Sequence, residues 1–190
     1  IAIDPKTNLI YAVPGDKVVD KSLKGVLHIV DGENGNIFPV GSTGFNEIED
    51  LTFSKDGTLW AWAKGDGLVT IDPMTGMGTL QIPSDLPVEG LTVSENDEGG
   101  LIFHGAYGTT LLVYDRDADT LDANCSLPGE TEALEMMPES HQLVIGVNND
   151  KSLSLHLFDP ETCEVVANAD IPTTKNDAEG IALPIDACAK

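Results

Sequence analysis

Four short segments each run an apolar stretch into an acidic turn: Ile29-Val30-Asp31-Gly32, Thr70-Ile71-Asp72-Pro73, Val113-Tyr114-Asp115-Arg116 and Leu157-Phe158-Asp159-Pro160, with the aspartates 41, 43 and 44 residues apart. A period of this length constrains the fold more than any local propensity. A unit of that size cannot bury its own apolar face and must pack against copies of itself.

Two further ladders recur in the same order. One comprises Leu9-Ile10-Tyr11-Ala12-Val13, Leu59-Trp60-Ala61-Trp62-Ala63, Leu101-Ile102-Phe103-His104-Gly105 and Leu143-Val144-Ile145-Gly146-Val147, which are strand-length runs rich in β-branched and aromatic residues. The other opens each unit: Ile48-Glu49-Asp50-Leu51, Val88-Glu89-Gly90-Leu91, Thr131-Glu132-Ala133-Leu134 and Ala178-Glu179-Gly180-Ile181. A fourth strand follows each acidic turn, as in Gly78–Pro83 and in Glu164-Val165-Val166-Ala167. Four short strands per unit, joined by Gly, Asp, Asn and Pro, describe an all-β blade of a β-propeller. Helical solenoids are excluded by the strand pattern, and a β-sandwich would not explain three ladders in fixed order.

The expected blades span approximately residues 1–41, 46–83, 87–128 and 130–172, within one domain. Ile181-Ala182-Leu183 matches Ile1-Ala2-Ile3, so residues 177–190 are expected to begin a fifth blade. In a closed four-bladed ring those two copies would compete for one place. A stretch of a larger propeller is therefore the favoured reading.

The first strand of a propeller blade lines the central axis, so Glu49, Glu89, Glu132 and Glu179 are expected around one mouth of a channel. Such carboxylates repel one another unless a cation, water or backbone N–H groups compensate. Two readings stand: a Ca²⁺ site, or a repeated structural clasp. Loops between second and third strands open on the same face and contribute Asp16, Asp66, His104, Tyr107, Asn148 and Asn149. His104 reads either as a base or metal ligand or as a hydrogen-bonded neighbour. Asn148 and Asn149 read as calcium ligands or as turn formers. The run Asp115-Arg116-Asp117-Ala118-Asp119 spaces carboxylates like a calcium loop but occupies a hairpin slot and lacks that loop's glycine and closing Glu. Trp60 and Trp62 alternate with alanines and are expected to pack between blades.

With 32 acidic against 10 basic residues, the net charge is −22. Nucleic acid needs clustered Lys and Arg, so it is excluded as a partner. No apolar run reaches the ~18 residues of a membrane-spanning helix. Cys125, Cys163 and Cys188 match no zinc spacing, and three cysteines allow at most one internal disulfide, whose pairing stays open. No nucleophile elbow, phosphate loop or zinc pair is present, so no catalytic residue can be assigned.

The Glu-Gly-Leu or Glu-Gly-Ile opening at Glu89-Gly90-Leu91 and Glu179-Gly180-Ile181, altered at Glu49-Asp50-Leu51 and Glu132-Ala133-Leu134, resembles secreted bacterial propellers of the esterase-like phytase and SdiA-regulated type. It is also similar to gluconolactonase and NHL-repeat propellers. The resemblance implies an extracellular or periplasmic protein. It also implies a divalent metal held by a Glu that opens an inner strand, here Glu49, Glu89, Glu132 or Glu179. The resulting expectation is a noncatalytic extracellular or cell-envelope module that binds a protein or glycan partner, with Ca²⁺ as its ion. The alternative is a metal-dependent hydrolase of the lactonase or phosphoesterase type, acting at the Glu-lined mouth.

Overall fold

The computed structural model describes all residues except 16, 138–139, 150–151, 172–178 and 185–190. Among the described residues the chain is all-β apart from a single 3₁₀ turn, Lys21–Leu23. Blade 1 comprises β1 (Ala2–Ile3), β2 (Ile10–Ala12), β3 (Val26–Val30) and β4 (Ile37–Ser42). Blade 2 comprises β5 (Ile48–Phe53), β6 (Leu59–Ala63), β7 (Gly67–Ile71) and β8 (Gly78–Pro83). Blade 3 comprises β9 (Gly90–Glu95), β10 (Leu101–Tyr107), β11 (Thr110–Asp115) and β12 (Thr120–Ser126). Blade 4 comprises β13 (Thr131–Met136), β14 (Leu143–Asn149), β15 (Ser152–Asp159) and β16 (Glu164–Ile171). Each blade is a four-stranded antiparallel sheet in sequence order. The chain divides into two compact units, Ile1–Pro87 with blades 1 and 2 and Val88–Lys190 with blades 3 and 4.

Strand composition follows strand position. β6, second in its sheet, buries Leu59, Trp60, Ala61 and Ala63, whereas the outermost strand β16 is exposed from Glu164 to Asp170. A strand covered on both faces reads as a continuous apolar run, which is why the inner ladders were conspicuous. In the first unit Leu27, Leu51, Leu59 and Val69 are fully buried. In the second unit Leu111, Leu134, Leu143 and Ile145 form the corresponding core between blades 3 and 4.

The acidic turns join the third and fourth strands of each blade, and their aspartates shape them. One carboxylate oxygen accepts the N–H two residues on: Asp31 from Glu33 at 2.9 Å, Asp72 from Met74 at 2.8 Å, Asp115 from Asp117 at 2.9 Å and Asp159 from Glu161 at 2.9 Å. The residue four positions past the aspartate is left-handed in every blade: Gly35, Gly76, Asp119 and Cys163 have φ of 74°, 79°, 51° and 60°. This is the hairpin chemistry of a short acidic side chain followed by a positive-φ residue. Hydrogen bonds to the ionised form hold the Asp72 and Asp159 carboxyls below the usual aspartate range. Asp115-Arg116-Asp117-Ala118-Asp119 takes its place as one of these turns, with Asp119 accepting from the Tyr114 hydroxyl at 2.9 Å.

Glu179–Pro184 carries no strand, in contrast to the expected opening strand of a fifth blade. The other residues of the expected stretch, 177–178 and 185–190, lie outside the described residues, so a fifth blade is not confirmed. The cysteine pairing left open by the sequence is Cys125 with Cys163, joining β12 to the β15–β16 turn across a sequence separation of 38. Cys188 lies outside the described residues.

Candidate functional site

Two of the repeated glutamates sit at a common backbone irregularity. Register shifts fall between Ile48 and Asp50 and between Thr131 and Ala133, so Glu49 and Glu132 are the extra residues of β-bulges. In blade 3 the Glu89 N–H donates to the Ala106 carbonyl at 3.0 Å immediately before β9 begins. Each of these three glutamates is half-buried between two buried neighbours. A bulge turns one side chain out of the strand's alternation, and here it turns a carboxylate out at the second position of β5 and of β13. Glu179 is exposed and lies outside any strand.

Blade 2 shows what compensates its carboxylate. The Lys64 ammonium lies 2.6 Å from Glu49 Oε1 and 3.0 Å from Glu47 Oε1, and Lys24 approaches Glu47 Oε2 at 3.1 Å. Glu49 first, and then Glu47, pushes the Lys64 pKa upward. Lys64 first, and then Lys24, holds the Glu47 carboxyl below the usual range. At this blade the compensating cation is an ammonium from the end of β6. Glu89, Glu132 and Glu179 also engage in polar or electrostatic contacts, so none of these residues is without a partner. Among the described residues no group of three or more His, Cys, Asp or Glu side chains converges as a metal cluster.

Lys64→Met is expected to let Glu47 titrate at a higher pH than in the wild type, as followed by carboxyl NMR. Because Lys64 is 48% exposed, the stability cost should stay below about 1 kcal/mol. The Glu47 contribution is present above the ordinary glutamate pKa and lost as pH falls through its depressed value, so the deficit should vanish in acid. An unchanged Glu47 titration would show that Lys24 alone sets it.

The loop residues fall at the same end of each sheet as the glutamates. Lys64 N–H donates to the Glu47 carbonyl at 3.0 Å, and Asn148 N–H donates to the Glu130 carbonyl at 3.0 Å. Asn148 thus holds in blade 4 the position that Lys64 holds in blade 2, at the strand end next to the bulge glutamate. Asp66 is exposed in the β6–β7 turn, with its N–H on the Ala63 carbonyl at 3.0 Å. Tyr107 is 47% exposed at the end of β10, and the following Gly108 carbonyl accepts from Thr131 N–H at 3.1 Å, fastening this loop to the start of blade 4. Asn149 ends β14 and is placed by its backbone only, while Asp16 lies outside the described residues.

His104 stands apart from that group. It pairs with Thr92 of β9 and Val113 of β11 in the interior of β10, is 7% exposed, and its buried Nδ1 has no hydrogen-bond partner. Desolvation lowers its pKa to about 4, so the ring is neutral at physiological pH. Beside it, Thr92 donates to Glu135 Oε1 at 2.6 Å and accepts from Met136 N–H at 3.1 Å, which joins blade 3 to blade 4. The sequence reading missed this contact, the role of Lys64, and a Ser154–His156 pair at 2.9 Å within β15. Ser154 is 4% exposed and its pair sits in the sheet rather than at the loop end.

No protein-family model matches the sequence, and no curated protein matches it significantly. Solved structures do. Hydrazine synthase from Kuenenia stuttgartiensis is 16% identical with a TM-score of 0.57, over 90% of this chain and 48% of that one. The Dos1 propeller is 17% identical with a TM-score of 0.51, over 85% and 46%. An auxiliary nutrient binding protein from Bacteroides ovatus is 13% identical with a TM-score of 0.57, over 92% and 42%. These likenesses establish the fold, a β-propeller, and this chain spans less than half the length of each of those proteins.

Proposed function

We propose that this chain forms part of a noncatalytic binding surface on an extracellular or cell-envelope β-propeller, taking a protein or glycan partner, with Ca²⁺ as an accessory ion. The observation that carries the reading is the bulge that sets a half-buried glutamate beside the loop ends in blades 2 and 4, with Glu89 half-buried at the matching place just before β9 in blade 3. One repeated device presents an acidic group and variable loops together, which suits recognition by loop variation on a rigid scaffold. Two facts support the setting. A disulfide persists in oxidising compartments, and one solved neighbour is titled a nutrient binding protein.

The competing reading, a metal-dependent hydrolase at the same mouth, has less support. A hydrolytic site needs a proton acceptor poised near neutrality, and the His104 ring is buried with its pKa at about 4. Calorimetry with Ca²⁺ on the wild type and on Glu89→Gln tests the ion, and a glycan and peptide binding panel tests the partner. Calcium affinity is expected to fall about tenfold or more in the variant, as when one carboxylate ligand is lost. Equal affinity in both proteins would remove Glu89 from the site. Turnover of esters, lactones or phosphate esters that is abolished by chelator would overturn the noncatalytic reading.

A further inference from the structure

The two units make the same contact between their blades with different chemistry. Gly41 and Cys125 each lie ten residues past their blade's turn aspartate, Asp31 and Asp115, and each pairs with the leucine that precedes the register shift, Leu27 and Leu111. Gly76 and Cys163 each lie four residues past Asp72 and Asp159, in the left-handed position of the turn. In the first unit Gly41 and Gly76 touch through their backbones: a Cβ on Gly76 would lie 2.5 Å from the Gly41 carbonyl oxygen. In the second unit the corresponding residues are the disulfide. The outer strand of one blade is therefore closed onto the turn of the next in both units, by glycine packing in one and by a covalent bond in the other.

We propose that Cys125–Cys163 is a thiol-addressable latch, entered at Cys163, that closes blade 3 onto blade 4. Access decides the entry point. Cys163 is exposed in its turn, whereas Cys125 is 7% exposed within β12. A thiolate of a dithiol reductant attacks Cys163 Sγ, the protein S–S bond breaks, and its electron pair leaves on Cys125 Sγ, which takes a proton. The second thiolate of the reductant then attacks the reductant's own sulfur in the mixed disulfide. Cys163 leaves as a thiolate and is protonated, so the protein gains two electrons and two protons and the reductant becomes a disulfide.

What the latch restrains is also visible. The β12 side of the contact keeps the Asn124 side-chain bond to the Pro160 carbonyl at 3.0 Å, and beyond it β16 is exposed from Glu164 to Asp170. Once reduced, Cys163 remains in a left-handed conformation that an L side chain disfavours, held by its N–H bond to the Asp159 carbonyl at 2.9 Å and no longer by the disulfide. The turn and the outer strand are then the least restrained part of the blade pair.

The test uses the full chain with Cys188→Ser as background, so that the third cysteine does not react. Native protein treated with a dithiol should lose the disulfide without denaturant. Hydrogen exchange should then rise in Thr120–Ser126 and Glu164–Ile171 while Ile37–Ser42 and Gly78–Pro83 stay unchanged. The melting temperature of the second unit should fall by about 15 °C, the scale expected for opening a loop of this length. In single-cysteine variants, oxidised glutathione should modify Cys163 in Cys125→Ser about tenfold faster than Cys125 in Cys163→Ser, since exchange tracks access. Reduction that requires unfolding, faster capture at Cys125, or exchange that rises equally in both units would each overturn the proposal. The wild-type exchange measurement decides the matter even where a variant folds poorly.

Discussion

Gly76→Ala is expected to lower the unfolding free energy of the first unit by about 3 kcal/mol, whereas Gly35→Ala at the same turn position of blade 1 should cost about 1 kcal/mol. Both residues are left-handed, with φ of 79° and 74°, so both variants bear the strain of placing an L side chain in that region. Only one meets an obstacle. A Cβ on Gly35 has nothing within 4 Å, but one on Gly76 lies 2.5 Å from the Gly41 carbonyl oxygen and 2.9 Å from its Cα. These are backbone atoms, so no rotamer change relieves the overlap, and blade 2 must move away from blade 1. Urea unfolding followed by tryptophan fluorescence reads the difference, because both tryptophans, Trp60 and Trp62, lie on β6 of this unit. Equal costs in the two variants would show that the glycine is needed for backbone conformation alone and that the contact between blades contributes nothing.

That pair of variants also bears on what the sequence could and could not reveal. The blade pattern was legible because burial is graded across each sheet: β6 is covered on both faces and reads as an apolar run, while the turn aspartates read as punctuation. The glutamate ladder was legible as a repeat but not as a bulge, since an extra residue in a strand becomes visible only when the partner strand's register is known. The pairing of Glu49 with Lys64 depends on where the end of β6 lies relative to that bulge, which spacing alone does not give. Residues 104–108 read as a loop because of two glycines and a tyrosine, yet Gly105 pairs with Leu91 and Leu112 inside the sheet and carries His104 with it. The disulfide had a signal that went unused. Cys125 and Cys163 stand at the same offsets from their turn aspartates as Gly41 and Gly76, but equal offsets gain meaning only once those glycines are seen in contact.

The second unit should lose about 2 kcal/mol of stability between pH 7.5 and pH 5 through His104 alone, and about 3 kcal/mol by pH 4. The folded protein holds this ring neutral with a pKa of about 4, against 6.5 for the unconstrained side chain, and desolvation is the cause. As pH falls from 6.5 towards 4 the unfolded chain takes up the proton and the folded chain does not. Stability is therefore complete above 6.5, declines through that window and falls no further on this account below 4. The ring's cross-strand partners are Thr92 on β9 and Val113 on β11, and the carboxylate nearest in this network, Glu135 on β13, is engaged by Thr92. The turn carboxylates Asp72 and Asp159, held below the usual range, destabilise in the same direction but only once pH drops below the ordinary aspartate pKa. His156, whose pKa is also lowered by desolvation, adds a smaller slope of the same sign, partly offset by Asp170. His104→Leu separates these contributions. It removes the titrating ring together with its unpartnered Nδ1, so at pH 7.5 it should lie within about 1 kcal/mol of the wild type, and at pH 5 it should be the more stable protein. Parallel pH profiles for the two proteins would mean that His104 is hydrated or protonated in the fold, and its burial as a neutral, unpartnered ring in the interior of β10 would have to be abandoned.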